Sequence, residues 1–215
     1  MKIAGVEEMR FMDRYAIVQL GMAEEILMEN AGLAALQVLR KTVGLAGKRF
    51  LIFCGSGNNG GDGLVVARLI HSCGGSAKVY LLSDSRKFRG AAKTNYEIVI
   101  RLPIDVVRLK NTSGIKKDLA HCHAVIDAIF GTGLDRPVSG LVADVIALIN
   151  KSQKKILSLD IPSGVNGNTG DIMGDAIKAD YTVTFGLPKI GNMLYPGYES
   201  GGELFVSHIY LLSRR

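Results

Sequence analysis

The sequence predicts an α/β fold with a mostly parallel central sheet and helices on both faces. Short apolar runs such as RFLIFCG (residues 49–55) are typical of strands that are covered on both faces. Stretches with helical periodicity separate these runs, and this alternation indicates right-handed βαβ units. A length of 215 residues suits one domain of this size class. The prediction is a three-layer, Rossmann-like sandwich.

The apolar pattern assigns each element in order. Met9, Met12, Ala16 and Leu20 share one helical face, and a second helical pattern over residues 23–43 contains the small-residue stretch ENAGLAAL, which suits close packing in the core or in a dimer. After the strand RFLIFCG we predict helix 63–73, strand 77–82, helix 87–101, strand 105–109, helix 116–120, strand 124–129, helix 139–150, strand 155–160, and strands near 181–185 and 203–208.

Composition and charge narrow the class of protein. The net charge is +6, but the basic residues are scattered and tryptophan is absent, so we expect no nucleic-acid partner. No run reaches the roughly 18 apolar residues of a membrane span, and the start MKIAGVEEMR is unlike a signal peptide. Three cysteines without CxxC spacing favour a reduced, cytoplasmic compartment, and Cys54 is expected to be buried.

Polar and glycine-rich clusters follow three predicted strands. They are GSGNNGGDG (55–63), DAIFGTGLDRP (127–137) and LDIPSG (159–164). Ligands bind outside the carboxyl ends of the strands in such sheets. The first cluster matches a dinucleotide-binding turn, where glycine permits close approach of a phosphate to helix N-terminal amides. Asp84 could bind a ribose, although a surface turn is the favoured interpretation.

The loop GSGNNGGDGLVVARLI resembles the signature of the NAD(P)H-hydrate epimerase family, also called the YjeF N-terminal domain. The segments EEMRFMDRYAI, LMENAG, DAIFGTGLDRPVSG, LSLDIPSGVNGNTG and ADYTVTFGLPKIG also fall in the family's order, over roughly residues 7–205. The resemblance implies epimerisation of the R and S forms of NADH and NADPH hydrated at nicotinamide C6. It also implies a homodimer, a bound potassium ion, and coupling to an ATP- or ADP-dependent NAD(P)HX dehydratase.

The resemblance also implies roles for individual residues. The dinucleotide-binding loop corresponds to Asn58, Asn59, Gly60, Gly61 and Asp62. The loop for the phosphate region corresponds to Gly131, Thr132, Gly133, Leu134, Asp135, Arg136 and Pro137. Asp160 corresponds to the acid that touches the substrate near the reactive ring, and the potassium ligands correspond to Asn59, Asp127 and Ser163.

The chemistry is consistent with these roles. The hydrated carbon is a hemiaminal, so its inversion moves a proton on or off the oxygen and passes through a charge-separated intermediate. One positioned carboxylate can do this, and general acid–base help contributes about 10²–10⁴-fold. Asp160 ends a predicted strand and is our candidate catalytic residue; a turn-capping role is its alternative, as it is for Asp127. Lys189 is left open between ligand contact and a solvated loop.

Two other functions compete with the epimerase. A conventional NAD-dependent oxidoreductase would not need Asn58, Asn59 and Asp62 in the loop, and no Tyr-x-x-x-Lys motif is present. A non-catalytic scaffold of the same fold would not need Asn59, Asp127 and Asp160 together. We therefore expect a single epimerase domain over residues 1–215, without the fused dehydratase found in many members, acting on NADHX or NADPHX.

Overall fold

A computed structural model describes residues 2–209 of the chain. Over this range the strands are β1 Arg49–Cys54, β2 Ser76–Leu81, β3 Asp105–Arg108, β4 Ala124–Ala128, β5 Lys155–Leu159, β6 Tyr181–Phe185 and β7 Glu203–Ser207. The helices are α1 Val6–Val18, α2 Glu24–Thr42, α3 Asn58–Ser72, α4 Gly90–Val99, α5 Ile115–His121, α6 Gly140–Lys151, α7 Ile190–Met193 and α8 Gly197–Gly201.

The strands form one parallel sheet in the order β3-β2-β1-β4-β5-β6-β7. Side chains of β1 alternate between the two faces: Phe50, Ile52 and Cys54 join the core under α2 and α3, whereas Leu51 and Phe53 join the core under α5 and α6. Both faces are therefore covered, and the predicted three-layer α/β class is confirmed. Cys54 is fully buried, as predicted.

The helix that follows β1 begins earlier than predicted. Glycine lowers helix propensity by about 1 kcal/mol, which is why the sequence predicted a start at residue 63. In the structure α3 begins at Asn58, so the glycine-rich segment is its first turn. Residue 87, predicted to start the next helix, lies in the short 3₁₀ turn Ser85–Lys87, and α4 starts at Gly90. The helices α7 and α8 were not predicted.

The small residues of α2 pack in the core. A Cβ at Gly32 would lie 2.2 Å from Cγ1 of Val65, so α2 and α3 approach more closely than a larger residue allows. Ala31 and Ala35 are buried beside it. Of the two roles left open for ENAGLAAL, core packing is the one that the structure describes. No helix within residues 2–209 is both long and apolar enough to cross a membrane.

Close backbone approach at the first turn of α3 gives a stability test. A Cβ at Gly60 would lie 2.0 Å from the carbonyl oxygen of Gly55, whereas one at Gly57 (φ −88°) would meet nothing within 4 Å. We expect Gly60→Ala to lower the free energy of unfolding by about 1–3 kcal/mol or more, because the backbone must shift. Gly57→Ala should change it by less than about 1 kcal/mol. Urea titration followed by circular dichroism measures both, and equal losses would contradict the packing argument.

Candidate functional site

A cavity of about 460 Å³ lies across the carboxyl ends of the central strands. This volume is within the range of about 300–1,000 Å³ that is usual for small-molecule sites. Its floor consists of segments that follow strands: residues 56–59 after β1, 129–133 after β4, Asp160 after β5, and Phe185 with Lys189 from β6 onward. Its outer wall comes from α1 and α2. Three of the four floor segments belong to the clusters that the sequence predicted.

The structure brings some of the predicted loop residues to the cavity but not others. Lining residues from the predicted set are Asn58, Asn59, Asp62, Gly131, Thr132, Gly133 and Asp160. Gly60 and Gly61 lie behind them and are packing positions, since a Cβ at Gly61 would be 2.7 Å from the thioether of Met28. Leu134 packs into the core under α6, while Asp135, Arg136 and Pro137 are exposed and do not line the cavity.

Asp160 and Lys189 form a largely buried ion pair in the cavity floor. The Lys189 ammonium is 2% exposed and donates to Asp160 Oδ1, to Thr184 Oγ1 (3.1 Å) and to the Phe185 carbonyl (2.8 Å). Asp160 adopts a positive φ of 68°, unusual for a residue with a side chain but tolerated by aspartate. Within residues 2–209 its second oxygen, Oδ2, accepts no hydrogen bond and lies 3.4 Å from the Cβ position of Gly131. Lys189, left open by the sequence, belongs to the site.

Asp127 is buried directly beneath the floor. It accepts hydrogen bonds from Ser158 Oγ (2.8 Å) in the neighbouring strand and from the Ser163 backbone amide (2.8 Å). The Ser163 hydroxyl donates to its other oxygen and accepts from the Phe130 amide (2.8 Å). Burial raises the pKa of Asp127, and the hydrogen bonds from Ser163 and Ser158 oppose this. No Lys or Arg of residues 2–209 forms an ion pair with this carboxylate.

Asn59 supplies an independent sign of a missing ligand. Both polar atoms of its side-chain amide are buried and lack a hydrogen-bond partner within the described part of the chain. Buried polar atoms are nearly always satisfied by protein, water or ligand, so these two atoms are candidates for contact with a bound group. The Asn59 side chain lies 3.4 Å from the position that a Cβ on Gly131 would occupy. The neighbouring Phe130 amide donates to the Ser163 hydroxyl, which in turn donates to Asp127. An amide, a hydroxyl and a carboxylate are hard oxygen donors, which fit a potassium ion.

Two cavity residues on α1, and one on α2, were missed by sequence reasoning. Arg10 donates to the Thr132 carbonyl (3.3 Å), Asp13 lines the cavity one turn later, and Glu24 accepts from the Asn58 amide group (3.3 Å). A signal for Asp13 was present: it lies at helical spacing between Met9 and Ile17, and an acid inside a partly buried apolar stripe indicates a function.

Two carboxyl groups of the cavity bind protons more tightly than usual. Burial raises the pKa of Asp62 well above its ordinary value. The charges of Asp160, Asp13 and Glu24 raise this pKa further, whereas the charge of Lys189 lowers it. Burial also raises the pKa of Asp13 to about 6, opposed by Lys189 and reinforced by Asp160 and Glu24. Such shifts cluster at functional sites.

Asp84 lies outside the cavity. It caps the Ser85–Lys87 turn, accepting from the Arg86 amide (2.9 Å), and forms ion pairs with Arg86 (2.7 Å) and Arg108 (2.8 Å). This is the surface-turn role that the sequence favoured over ribose binding. Within residues 2–209 no group of three or more His, Cys, Asp or Glu side chains forms a metal-binding cluster.

An all-parallel sheet with a polar, glycine-lined cavity across its carboxyl edge defines a Rossmann-like, ligand-binding α/β domain. The family model described as YjeF-related protein N-terminus matches residues 24–191, and the chain belongs to this family. The resemblance drawn from the sequence motifs is therefore confirmed.

Known proteins of the family match nearly the whole chain. A relative from Thermofilum pendens, named bifunctional NAD(P)H-hydrate repair enzyme Nnr, is 47% identical over 97% of this chain and 40% of its own length. One from Limosilactobacillus reuteri, named NAD(P)H-hydrate epimerase, is 35% identical over 96% of this chain and 95% of its own length. The crystal structure of the yeast protein YNL200c has the same fold, with a TM-score of 0.81 at 23% identity, covering 97% of this chain and 87% of that one.

The raised pKa of Asp13 predicts a pH-dependent stability difference. A folded-state pKa of about 6 against an ordinary 3.8 stabilises the folded state below pH 4, and this contribution is lost as the pH rises through 6. Asp13→Asn lacks the contribution, so its melting temperature relative to wild type should rise between pH 4 and 8. One pKa unit equals about 1.4 kcal/mol, so the change is at most about 3 kcal/mol before solvent screening. The exposed Asp144→Asn is the control; a difference independent of pH would contradict the assignment.

Proposed function

We propose that this protein is an NAD(P)H-hydrate epimerase, an isomerase that interconverts the R and S forms of NADHX and NADPHX. The observation that carries the proposal is the Asp160–Lys189 pair, which lines the cavity with one carboxylate oxygen left open to a ligand. The names of the relatives from L. reuteri and T. pendens support the same reaction. We treat residues 1–215 as one domain of this type, and it spans 40% of the length of the T. pendens relative.

The floor of the cavity suits the diphosphate of a dinucleotide. The α3 N-terminus lies at Ser56, Gly57 and Asn58, where free amides and the helix dipole favour an anion. Gly131 and Gly133 lie in the neighbouring segment of the floor, where the Arg10 guanidinium donates a hydrogen bond to the Thr132 carbonyl. With the diphosphate on this side, the hydrated ring reaches the end of the cavity that holds Asp160.

Asp160 and Lys189 divide the work at the reacting carbon. The ammonium of Lys189 fixes Oδ1 and keeps the side chain in place, so that Oδ2 faces the hemiaminal hydroxyl. Oδ2 exchanges the proton of that hydroxyl, while the negative charge of the carboxylate stabilises the iminium-like ring. The buried position of the pair strengthens both effects because water does not screen it.

We further propose that Asn59, Asp127 and Ser163 hold a potassium ion beneath the floor. The ion would supply positive charge that balances the buried carboxylate of Asp127, and Oδ1 of Asn59 would be one of its oxygen ligands. Its binding would fix the segments after β1, β4 and β5 against each other. A scaffold or an ordinary oxidoreductase offers no reason for this donor set beside a buried ion pair.

We also propose a homodimer. Phe11, Tyr15 and Val18 follow one another at helical spacing on α1, and their exposed fractions are 55%, 42% and 66%. Ile26 on α2 is also exposed, at 51%, and exposed apolar groups on two helices favour a protein–protein interface. Sedimentation velocity of wild type and Val18→Glu tests this, because the charge should shift a dimer to monomer.

Two proposals concern the cellular setting. The T. pendens relative is named a bifunctional repair enzyme, which supports coupling of this chain to an ATP- or ADP-dependent NAD(P)HX dehydratase. The free thiols of Cys54, Cys73 and Cys122 support a reducing compartment, the cytoplasm. Copurification with a dehydratase and cell fractionation test these two points.

The first prediction for this function concerns Asp160. In a mixture of both hydrates with excess S-specific dehydratase and ATP, wild type should accelerate loss of the R form. Asp160→Asn keeps the size of the side chain but cannot exchange the proton, so we expect a loss of about 10²–10⁴-fold. Chromatography of the R form gives the rate, with the exposed Asp171→Asn as control. A wild type that binds ADP-ribose but accelerates nothing is a binding module.

The second prediction concerns the ion. The melting temperature of wild type should be higher in KCl than in choline chloride at equal ionic strength, because a ligand of the folded state stabilises it. Asn59→Ala should lose this increment. Asn58→Ala, whose side chain contacts Glu24 instead, should keep it. An increment that NaCl matches, or that Asn59→Ala retains, would contradict a potassium site at Asn59.

A further inference from the structure

The proposed reaction must act on both faces of the substrate ring. The R and S hydrates differ in the face that carries the hydroxyl at C6. When this hydroxyl leaves as water and another water adds with inversion, the two oxygens lie on opposite faces. A carboxylate on one wall of a cavity reaches one face only. Inversion by this route therefore needs a second proton-transfer group on the opposite wall.

We propose that Asp13 is this second catalytic residue and that it serves the ring face opposite to the one that Asp160 serves. The inference rests on the proposed epimerase function and assigns a role to a residue that the sequence motifs left without one.

Asp13 and Asp160 enter the cavity from different walls. Asp160 directly follows β5 and belongs to the cavity floor, whereas Asp13 is on α1, which forms part of the outer wall. The contacts of α1 fix this placement, since each reaches a segment that follows a strand. The Val6 amide donates to Asn168 Oδ1 (2.8 Å), and Arg10 donates to the Thr132 carbonyl (3.3 Å). The amide of Ala4, two residues before the helix, donates to the Pro188 carbonyl (2.9 Å). The cavity is the space between these walls.

A third acid without a protein partner lines the same cavity. Asp62 on α3 lines the cavity, is only 8% exposed, and forms no hydrogen bond or ion pair within residues 2–209. A buried carboxyl group without a partner is costly unless a bound molecule completes its hydrogen bonds. Asp13, Asp62 and Asp160 all line this cavity, and the charges of Asp13 and Asp160 both raise the pKa of Asp62.

The surroundings of Asp13 suit a group that both donates and accepts a proton. Burial raises its pKa to about 6, the charges of Asp160 and Glu24 raise it further, and the charge of Lys189 lowers it. Asp62, whose own pKa the charge of Asp13 raises, lines the same cavity. A carboxyl group with this pKa is present in both protonation states near neutrality, as general acid–base catalysis requires. The ammonium of Lys189 meanwhile pairs with Asp160, whose carboxylate is the complementary acceptor.

Protons and electron pairs balance over one inversion. The Asp13 carboxyl gives its proton to the hydroxyl as the C6–O bond breaks; the bonding pair leaves with water, and the ring-nitrogen lone pair forms the C=N bond. Water then attacks C6 from the other face, the C=N pair returns to nitrogen, and Asp160 takes the proton. The two carboxyl groups exchange protonation states, and the reverse direction uses the same pair with donor and acceptor interchanged.

The test follows inversion and oxygen exchange separately. Pure R or S hydrate is incubated in H₂¹⁸O with enzyme, and chiral chromatography with mass spectrometry measures both inversion and label at C6. Wild type should incorporate label as it inverts. Asp13→Asn should lose inversion by about 100-fold or more but keep label exchange, with retention, in one epimer only. Asp160→Asn should keep exchange in the other epimer. Asp13→Glu should recover part of the inversion, and Asp144→Asn should behave as wild type.

Other results would overturn either the role of Asp13 or the epimerase function itself. Inversion at the wild-type rate by Asp13→Asn, or equal loss of inversion and of exchange in both epimers while ADP-ribose still binds, overturns the role of Asp13. Inversion by wild type without label indicates ring opening and overturns it too. If wild type accelerates neither inversion nor exchange, the epimerase function itself fails, which is a distinct outcome. Melting curves establish that each variant is folded.

Discussion

The cavity floor depends on the buried carboxylate of Asp127. This group ends β4 and collects hydrogen bonds from Ser158 across the strand pair and from Ser163 in the turn after β5. An unpaired carboxylate is costly to bury, so each of these donors is held in place by a large electrostatic gain. The turn after β4, which leads to Gly131, and the turn after β5, which follows Asp160, are thereby joined. One residue that does not itself line the cavity therefore joins two segments of its floor.

The same dependence extends outward to the wall. Lys189 reaches Asp160 from the segment after β6, and that segment also pairs with Ala4 immediately before α1. The ion pair orients Asp160, and the backbone pairing of Ala4 with the same segment anchors the helix that carries Asp13. Because the ion pair is buried, removing either partner would leave the other as a desolvated, unpaired charge. The segment after β6 thus positions both Asp160 and the helix that forms the outer wall of the cavity.

The sequence predicted the sheet side of this site well and the helix side poorly, for physical reasons. Apolar runs mark strand ends, and Asp127 and Asp160 could be placed at those ends because parallel strands finish on one edge. The start of α3 at Asn58 was missed since its glycines are poor helix formers whose backbone contacts are tertiary. Lys189 could not be decided, because its burial requires Thr184, Phe185 and Asp160 to converge. Asp13 depends on how α1 packs, which local pattern does not specify.

Charge balance links these parts to the proposed chemistry. Four acids, Asp13, Glu24, Asp62 and Asp160, line a cavity that offers only Arg10 and Lys189 as cationic lining residues within the described range. A dianionic diphosphate would be repelled if all four were ionised, but burial favours the protonated forms of Asp62 and Asp13. The proposed potassium ion would balance Asp127 separately. Of the other two acids, Glu24 accepts a hydrogen bond from the Asn58 side chain, and Asp160 lies where the positive ring of the proposed intermediate forms. A cavity that is acidic in composition can thus bind an anion at one end and stabilise a cation at the other.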